Sequence, residues 1–493
     1  MKKSILFLSF ITFACFAKAQ IGVRYNPDIQ PTTVMQYFKP VGNNLFVGDC
    51  IPFYRKGTYY LYWLLDSAHH SAMHGLGGHQ WALSTTTDLK HWKNYPIVLG
   101  IDEEWWEKSI CTGSVVYSNN KFYAFYATRL INKEGKINEQ LSYAISNDGI
   151  HFEKQKPNPF YTSAPGYSQR NFRDPKVVVD KDGTFHLFVA SNKDSSSIKG
   201  LDGVLVHLTS NNLKDWKVNQ PLITGEPTTP ECPDYFLWNG WYYIVYSDAS
   251  NTFYLKSRQP YGPWEQPQSQ ALDEDWANVV KTAEFTNNRR IAAAWIPSRK
   301  DNKDDGHEMF GGNTVFRELI QDKDGTLNTK FPKEMIPLAG SPISLNPVLD
   351  ASSKADKDGY LINAPDGIGT VHFENIPDNC RITLEIQPVT SSENYGLYLH
   401  SNEDASGGYR LLFSPNDRTV SLGNTSISAV DGLNKTIKVD IILKDDIIDV
   451  CIDNRKCIVN RTPEMKGNFL WLFAKHGQVK FQSVKVAKLL ENQ

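Results

Sequence analysis

The chain has 493 residues, 41% of them hydrophobic and 22% charged, with a net charge of −2 and no dense basic run. That length exceeds one ordinary domain and points to two. The even charge argues against a nucleic-acid partner, because neutralising phosphates takes a basic footprint.

The N-terminal stretch "MKKSILFLSFITFACFAKAQ" has a basic start at Lys2 and Lys3 and an apolar run from Ile5 to Phe16. A small-x-small cleavage signal follows at Ala17-Lys18-Ala19. The expectation is a secretory signal peptide over residues 1–19 and a periplasmic or extracellular protein. The apolar run is too short to span a membrane comfortably, and no later segment is apolar enough to do so. Removing Lys2, Lys3 and Lys18 takes the net charge from −2 to −5. Six of the seven cysteines then remain, and their spacing fits no zinc site.

From about Asn44 to Glu334 the chain alternates short aromatic and β-branched runs with turns. Examples are "GTYYLYWLL", "KFYAFYA", "TFHLFVAS" and "WYYIVYS", and such composition favours strands. A repeat couples a small-polar turn to an aromatic: "STTTDLKHW" ends at Trp92, "ISNDGIHF" at Phe152, "TSNNLKDW" at Trp216 and "SRQPYGPW" at Trp264. The spacings, 60, 64 and 48 residues, suit four-stranded propeller blades with long loops. A strand group from "RRIAAAWIP" onward makes a fifth blade. The expected fold is all-β: a five-bladed β-propeller over residues 20–338, then a C-terminal β-sandwich. A Pro/Ser/Ala/Lys stretch at 339–359 reads as a linker. Over 360–493 the strands turn aliphatic and alternating ("RITLEIQPV", "TIKVDIILK"), which reads as an antiparallel sandwich acting as an accessory module.

Three acids stand at strand starts after a turn: Asp49 in "FVGDCIPFY", Asp174 in "NFRDPKVVV" and Glu231 in "ECPDYFLW". An acid in a turn is commonly a backbone cap. Three at equivalent ends of innermost propeller strands would instead converge on the axis. Carboxyls sharing one pocket repel, so one holds its proton while another stays ionised. Glycosidic cleavage needs that pair of states. Arg173, beside Asp174, is placed to hold it ionised. Cys50 and Cys232 directly follow Asp49 and Glu231, and they are expected to be free and packed, Cys232 at the pocket. Asp66 is a candidate for a sugar hydroxyl or a turn cap. Trp81, Trp105, Trp106 and Trp238 are candidates for stacking on a sugar face, each also able to serve as blade core. Glu103 and Glu104 flank that Trp pair. His69, His70, His74 and His79 read as a Gly/His loop at the pocket rim rather than a metal site.

Together these segments resemble glycoside hydrolase family 32, the fructan and sucrose hydrolases. "FRDPKV" resembles the family's Arg-Asp-Pro motif, "ECPDYF" its Glu-Cys motif, and "WALSTTTDLKHW" a segment of its first blade. The resemblance implies a retaining hydrolase without metal or organic cofactor, acting on a carbohydrate. It makes Asp49 the nucleophile, Asp174 the transition-state stabiliser and Glu231 the general acid/base. The implied reaction is removal of terminal β-fructofuranosyl residues. The first motif departs from the family's Asn-Asp-Pro-Asn-Gly: here it reads "VGDCIPFY", with Gly48 in place of the Asn and Leu64 near the position of a family Gln. The same stretch also resembles glycoside hydrolase family 43, whose members invert and cleave arabinofuranosides and xylosides. A non-catalytic carbohydrate-binding propeller is the remaining alternative.

Overall fold

A computed structural model describes residues 24–31, 34–101, 107–131, 134–268, 271–272 and 277–490. The signal-peptide segment 1–19, and Trp105 and Trp106 with Glu103 and Glu104, lie outside these residues. Strands dominate the described residues and helix is scarce, and no helix among them is long and apolar enough to cross a membrane.

The strands follow one another as antiparallel groups. The first is β1 (Leu45–Arg55), β2 (Thr58–Ser67), β3 (Gln80–Thr86) and β4 (Trp92–Leu99). The next is β5 (Ser109–Ser118), β6 (Lys121–Ile131), β7 (Ile137–Ser146) and β8 (Phe152–Lys154). Then come β9 (Tyr167–Val179), β10 (Phe185–Lys193), β11 (Gly203–Ser210), β12 (Lys217–Val218) and β13 (Ile223–Glu226). A three-stranded group of β14 (Glu231–Trp238), β15 (Trp241–Asp248) and β16 (Asn251–Ser257) follows. The last is β17 (Asn278–Phe285), β18 (Arg289–Arg299), β19 (Glu308–Gln321) and β20 (Leu327–Lys330).

The leading strand of each group packs on the next: β1 on β5, β5 on β9, β9 on β14, β14 on β17, and β17 back on β1. Strand β19 also pairs with β1, Val47 opposite Gly312, which ties the last group to the first. Neighbouring groups pack face to face through the aromatics that marked the strands. Tyr62, Trp81 and Tyr126 fill one seam, Phe125 and Phe185 the next, Phe188 and Tyr235 another. Covered on both faces, these strands read as continuous apolar runs rather than alternating ones.

The sequence repeat has a physical cause in three of these groups. After the third strand, a hydroxyl accepts a backbone N–H three residues on: Thr86 from Leu89, Ser146 from Gly149, Ser210 from Leu213, each at 2.9 Å. Two residues past the hydroxyl, Asp88, Asp148 or Asn212 accepts the N–H that closes the turn, at 2.8–2.9 Å. These are side-chain turns of the kind that Ser, Thr, Asp and Asn make.

Residues 339–359, expected as a linker, carry β21 (Ala339–Pro342), β22 (Val348–Leu349) and β23 (Ser353–Asp356). Strand β21 pairs with the final strand, Phe469–Leu489, and β22 and β23 pair with β24 (Gly359–Phe373). Their side chains are mostly exposed, so they pair through the backbone with no apolar pattern to announce it. The C-terminal sheet then buries an apolar, largely aliphatic core including Ile362, Leu384, Leu397 and Val450, with Phe481 among its aromatics. It is joined to the preceding groups by a buried ion pair. Arg317 on β19 donates to both carboxylate oxygens of Asp449, at 2.8 and 2.9 Å, and the Tyr37 hydroxyl adds a third bond at 2.8 Å.

Candidate active site

All five leading strands break register at one level. The ladder slips between Val47 and Cys50 in β1, between Ile110 and Gly113 in β5, and between Arg173 and Lys176 in β9. It slips again between Glu231 and Asp234 in β14, and between Asn278 and Lys281 in β17. A bulge leaves residues unpaired and re-aims their side chains. The unpaired residues include Asp49, Asp174 and Cys232, and Glu231 stands at the edge of its slip. Three positions need a left-handed backbone: Asp174 at φ 55°, Cys232 at φ 51° and Val279 at φ 56°. Non-glycine residues there are strained and recur at functional sites.

These bulges line a cavity of about 350 Å³ bounded by Asp49, Asp174, Glu231, Arg173, Cys232 and Trp295, among others. Asp49 is buried. Its Oδ1 accepts from Trp295 Nε1 at 3.0 Å and its Oδ2 from the Cys232 thiol at 3.6 Å. Asp174 is buried too, and its Oδ2 accepts from the Cys232 backbone N–H at 3.1 Å and from the Cys232 thiol at 3.4 Å. Cys232 therefore sits between the two carboxyls, its backbone N–H on Asp174 and its one thiol proton within reach of either. Burial, reinforced by those two acids, pushes its thiol well above the usual range, so it keeps the proton it donates. All six described cysteines are free and buried.

Glu231 differs from its partners: its side chain is 44% exposed. It reaches into the open part of the cavity and accepts from Arg173 Nη2 at 2.5 Å. Arg173 Nε lies 3.6 Å from Asp174 Oδ2. Burial raises Asp49 to about 6, opposed chiefly by Lys281 and the Trp295 bond. Burial raises Asp174 to about 7, opposed by Arg173. The two buried carboxyls thus titrate near neutrality, and the pocket pairs them with a third acid open to solvent.

Other candidates are placed differently. Trp81 is fully buried between Tyr62 and Tyr126, with its indole N–H bonded to the Cys111 carbonyl at 2.9 Å, so it offers no face to a sugar. Trp238 is buried in the last seam. Asp66 is wholly buried behind the pocket wall, where it accepts from the His70 backbone and from His79 Nε2 at 2.9 and 3.0 Å. It holds the His segment in place instead of facing substrate. That segment is an ordered wall: His69 stacks on Phe46, and His79 is buried against Phe310. Among the described residues no cluster of three His, Cys, Asp or Glu could hold a metal ion.

Several wall residues were not singled out from sequence: Trp295, Phe310, Arg129, Glu139 and His70's role beside Arg129. Phe310 explains the altered first motif. A Cβ at position 48 would lie 2.8 Å from the Phe310 ring and 3.2 Å from Leu64 Cβ. Gly48 therefore makes room for Phe310, and the wall beside Asp49 is apolar.

The family model of the glycosyl hydrolases family 32 N-terminal domain matches residues 50–330, more than half of the chain. A sucrose-6-phosphate hydrolase of Bacillus subtilis is 27% identical over 267 residues, 49% of this chain and 53% of that protein. The chain thus spans about half the length of that relative. A levanbiose-producing levanase of the same species is 22% identical over 492 residues, covering 88% of this chain and 87% of its own. The crystal structure of fructan 1-exohydrolase IIa from Cichorium intybus superposes with a TM-score of 0.69 at 17% identity, over 95% of this chain and 98% of that one. That likeness extends the common fold, propeller then sandwich, across nearly the whole chain. The chain belongs to glycoside hydrolase family 32.

Proposed function

From that membership and the three converging carboxyls, we propose that the protein is a glycoside hydrolase that removes terminal β-fructofuranosyl, or related furanosyl, residues from oligo- or polysaccharides. In this reading each strand group is one blade of a five-bladed propeller. Residues 20–338 form the catalytic domain, 339–359 connect it, and 360–493 form an accessory sandwich. The leader over 1–19 exports the protein to the periplasm or beyond.

Asp49, when ionised, attacks the anomeric carbon. Glu231 gives its proton to the leaving oxygen and then takes one from the water that releases the sugar. Asp174 accepts sugar hydroxyls that bind more tightly as the oxocarbenium character grows. Cys232 fixes the spacing of Asp49 and Asp174, with its thiol donating to Asp49 and its backbone N–H to Asp174. Arg173 holds Glu231 at the mouth. The carrying observation is that three acids from three separate strands meet in one cavity, two buried and one open.

The relatives named as sucrose-6-phosphate hydrolase and levanase make β-fructosides the first substrates to try. The apolar wall of Phe310 and Leu64 beside Asp49 favours ring-face contacts over hydroxyl bonding there. It is the reason to keep other furanosides in view. The test is product analysis on sucrose, inulin, levan, arabinan and arabinoxylan, with Asp49→Asn as control. Fructose released by the wild type and not by the variant supports the proposal. Arabinose or xylose would move the specificity to other furanosides or to xylosides. Binding without any product would make the protein a carbohydrate-binding propeller.

A further inference from the structure

Along the pocket wall, a chain of polar and charged side chains crosses four strand groups. The neutral ring of His70, on the segment after β2, accepts from Arg129 Nη1 on β6. Arg129 Nε donates to Glu139 Oε1 on β7 at 2.7 Å. Glu139 Oε2 accepts from Arg173 Nη1 on β9 at 2.9 Å, and Arg173 Nη2 donates to Glu231 on β14 at 2.5 Å. Glu139 is buried, its side chain 5% exposed, and both of its oxygens are spent on arginines. A second anchor holds Arg173: the Asn171 side-chain oxygen accepts from the same Nη1 at 2.8 Å.

We infer that Glu139 is a positioning residue for the acid/base: it shares the charge of Arg173, the guanidinium that holds Glu231. The inference rests on the assignment of Glu231 as the acid/base. A lone guanidinium against a carboxyl holds that carboxyl ionised, which would defeat an acid that must donate. With Glu139 on its other edge, Arg173 spends part of its field on a buried anion. Arg129 in turn balances Glu139, so the carboxylate is not left as an unpaired buried charge. From β9 and β14 the groups facing Glu231 are Arg173, Asp174 and Cys232; from β1 and β17 they are Asp49 and Lys281. His70, His79, Cys111, Arg129 and Glu308 complete the charged and titratable wall. Glu139, Asn171 and Asp174 all touch Arg173, and Arg129 acts on it through Glu139.

The chain predicts opposite effects for its two inner members. Glu139→Gln removes the balancing anion, so the alkaline limb of the kcat profile moves down by about one pH unit, the size expected of one charge acting across a shared guanidinium. Arg129→Gln leaves Glu139 wholly to Arg173, so the limb moves up. Glu139→Asp keeps the charge and keeps the limb near its wild-type position. A purely structural role would lower the rate or the melting temperature without moving the limb in opposite directions. If Glu139→Gln does not fold, Arg129→Gln alone carries the sign. The ionisation of Glu231 is followed in parallel by infrared absorbance of its carboxyl, with Glu231→Gln as the blank and no substrate present. A wild type without turnover would sink the proposed hydrolysis, while the infrared titration would still judge the charge chain. A limb and a carboxyl signal unmoved in both variants, or moved the same way in both, would overturn the inference.

Discussion

With Asp49 as the proposed nucleophile, the bond from Trp295 helps to set, after burial and Lys281, where activity rises with pH. Trp295→Phe removes one N–H···O bond of 3.0 Å and keeps most of a ring whose centroid lies 4.8 Å from that of Phe310. A hydrogen bond to a charged group contributes about 1.5–3 kcal/mol, and one pKa unit is about 1.4 kcal/mol. The bond favours the ionised form, so losing it raises Asp49 by about one to two units. Asp49 stands at about 6 in the wild type, so the acid limb of kcat/KM, which reports the free enzyme, moves to about 7 or higher. Activity at high pH is largely kept. Stability follows the same sign. A carboxyl raised by folding costs the folded state stability once it ionises, so the added cost in the variant is absent below pH about 6. It grows to roughly 1.4–3 kcal/mol well above pH 7. The assay is kcat/KM against pH on whichever fructoside the wild type cleaves, with melting temperatures at pH 5 and 8. A uniform fall in kcat/KM with the acid limb in place would refute the reasoning.

Three further outcomes follow from the geometry. Glu231→Gln lowers turnover of natural glycosides by about 10²–10⁴, and a substrate with a good leaving group, which needs no proton, recovers the first step. Gly48→Ala drives a methyl into the Phe310 ring, with a Cβ contact of 2.8 Å; thermal unfolding reports a loss of about 1–3 kcal/mol together with reduced activity. Asp449→Ala leaves Arg317 charged and buried at the junction with the C-terminal sheet, and denaturant unfolding reports a loss of about 3–5 kcal/mol.

The three acids were legible because each stands after a turn at the start of an aromatic or apolar run. Gly48, Pro175 and Pro230 sit beside Asp49, Asp174 and Glu231, and Gly or Pro at a strand run marks a turn or bulge. The repeat was legible because its turns are built from local side-chain bonds. Glu139 and Arg129 were not legible. They lie mid-strand in "KFYAFYATRLI" and "INEQLSYAIS", where isolated charges read as the solvent face of a hairpin. Only packing β6 and β7 against β9 turns that face inward. Trp81 was open as a stacking face or as core, and the structure makes it core, because Tyr62 and Tyr126 cover it. The edge strands at 339–359 pair through their backbones, which no side-chain pattern records.

The most direct test of the central claim uses Glu231→Gln, in which release of the sugar is slow. The variant is incubated with a fructoside carrying a good leaving group, digested, and its peptides weighed. The account predicts one glycosyl residue attached to the peptide that contains Asp49, and none when Asp49→Asn is added to the variant. Turnover with no adduct, or an adduct on another residue, would contradict it.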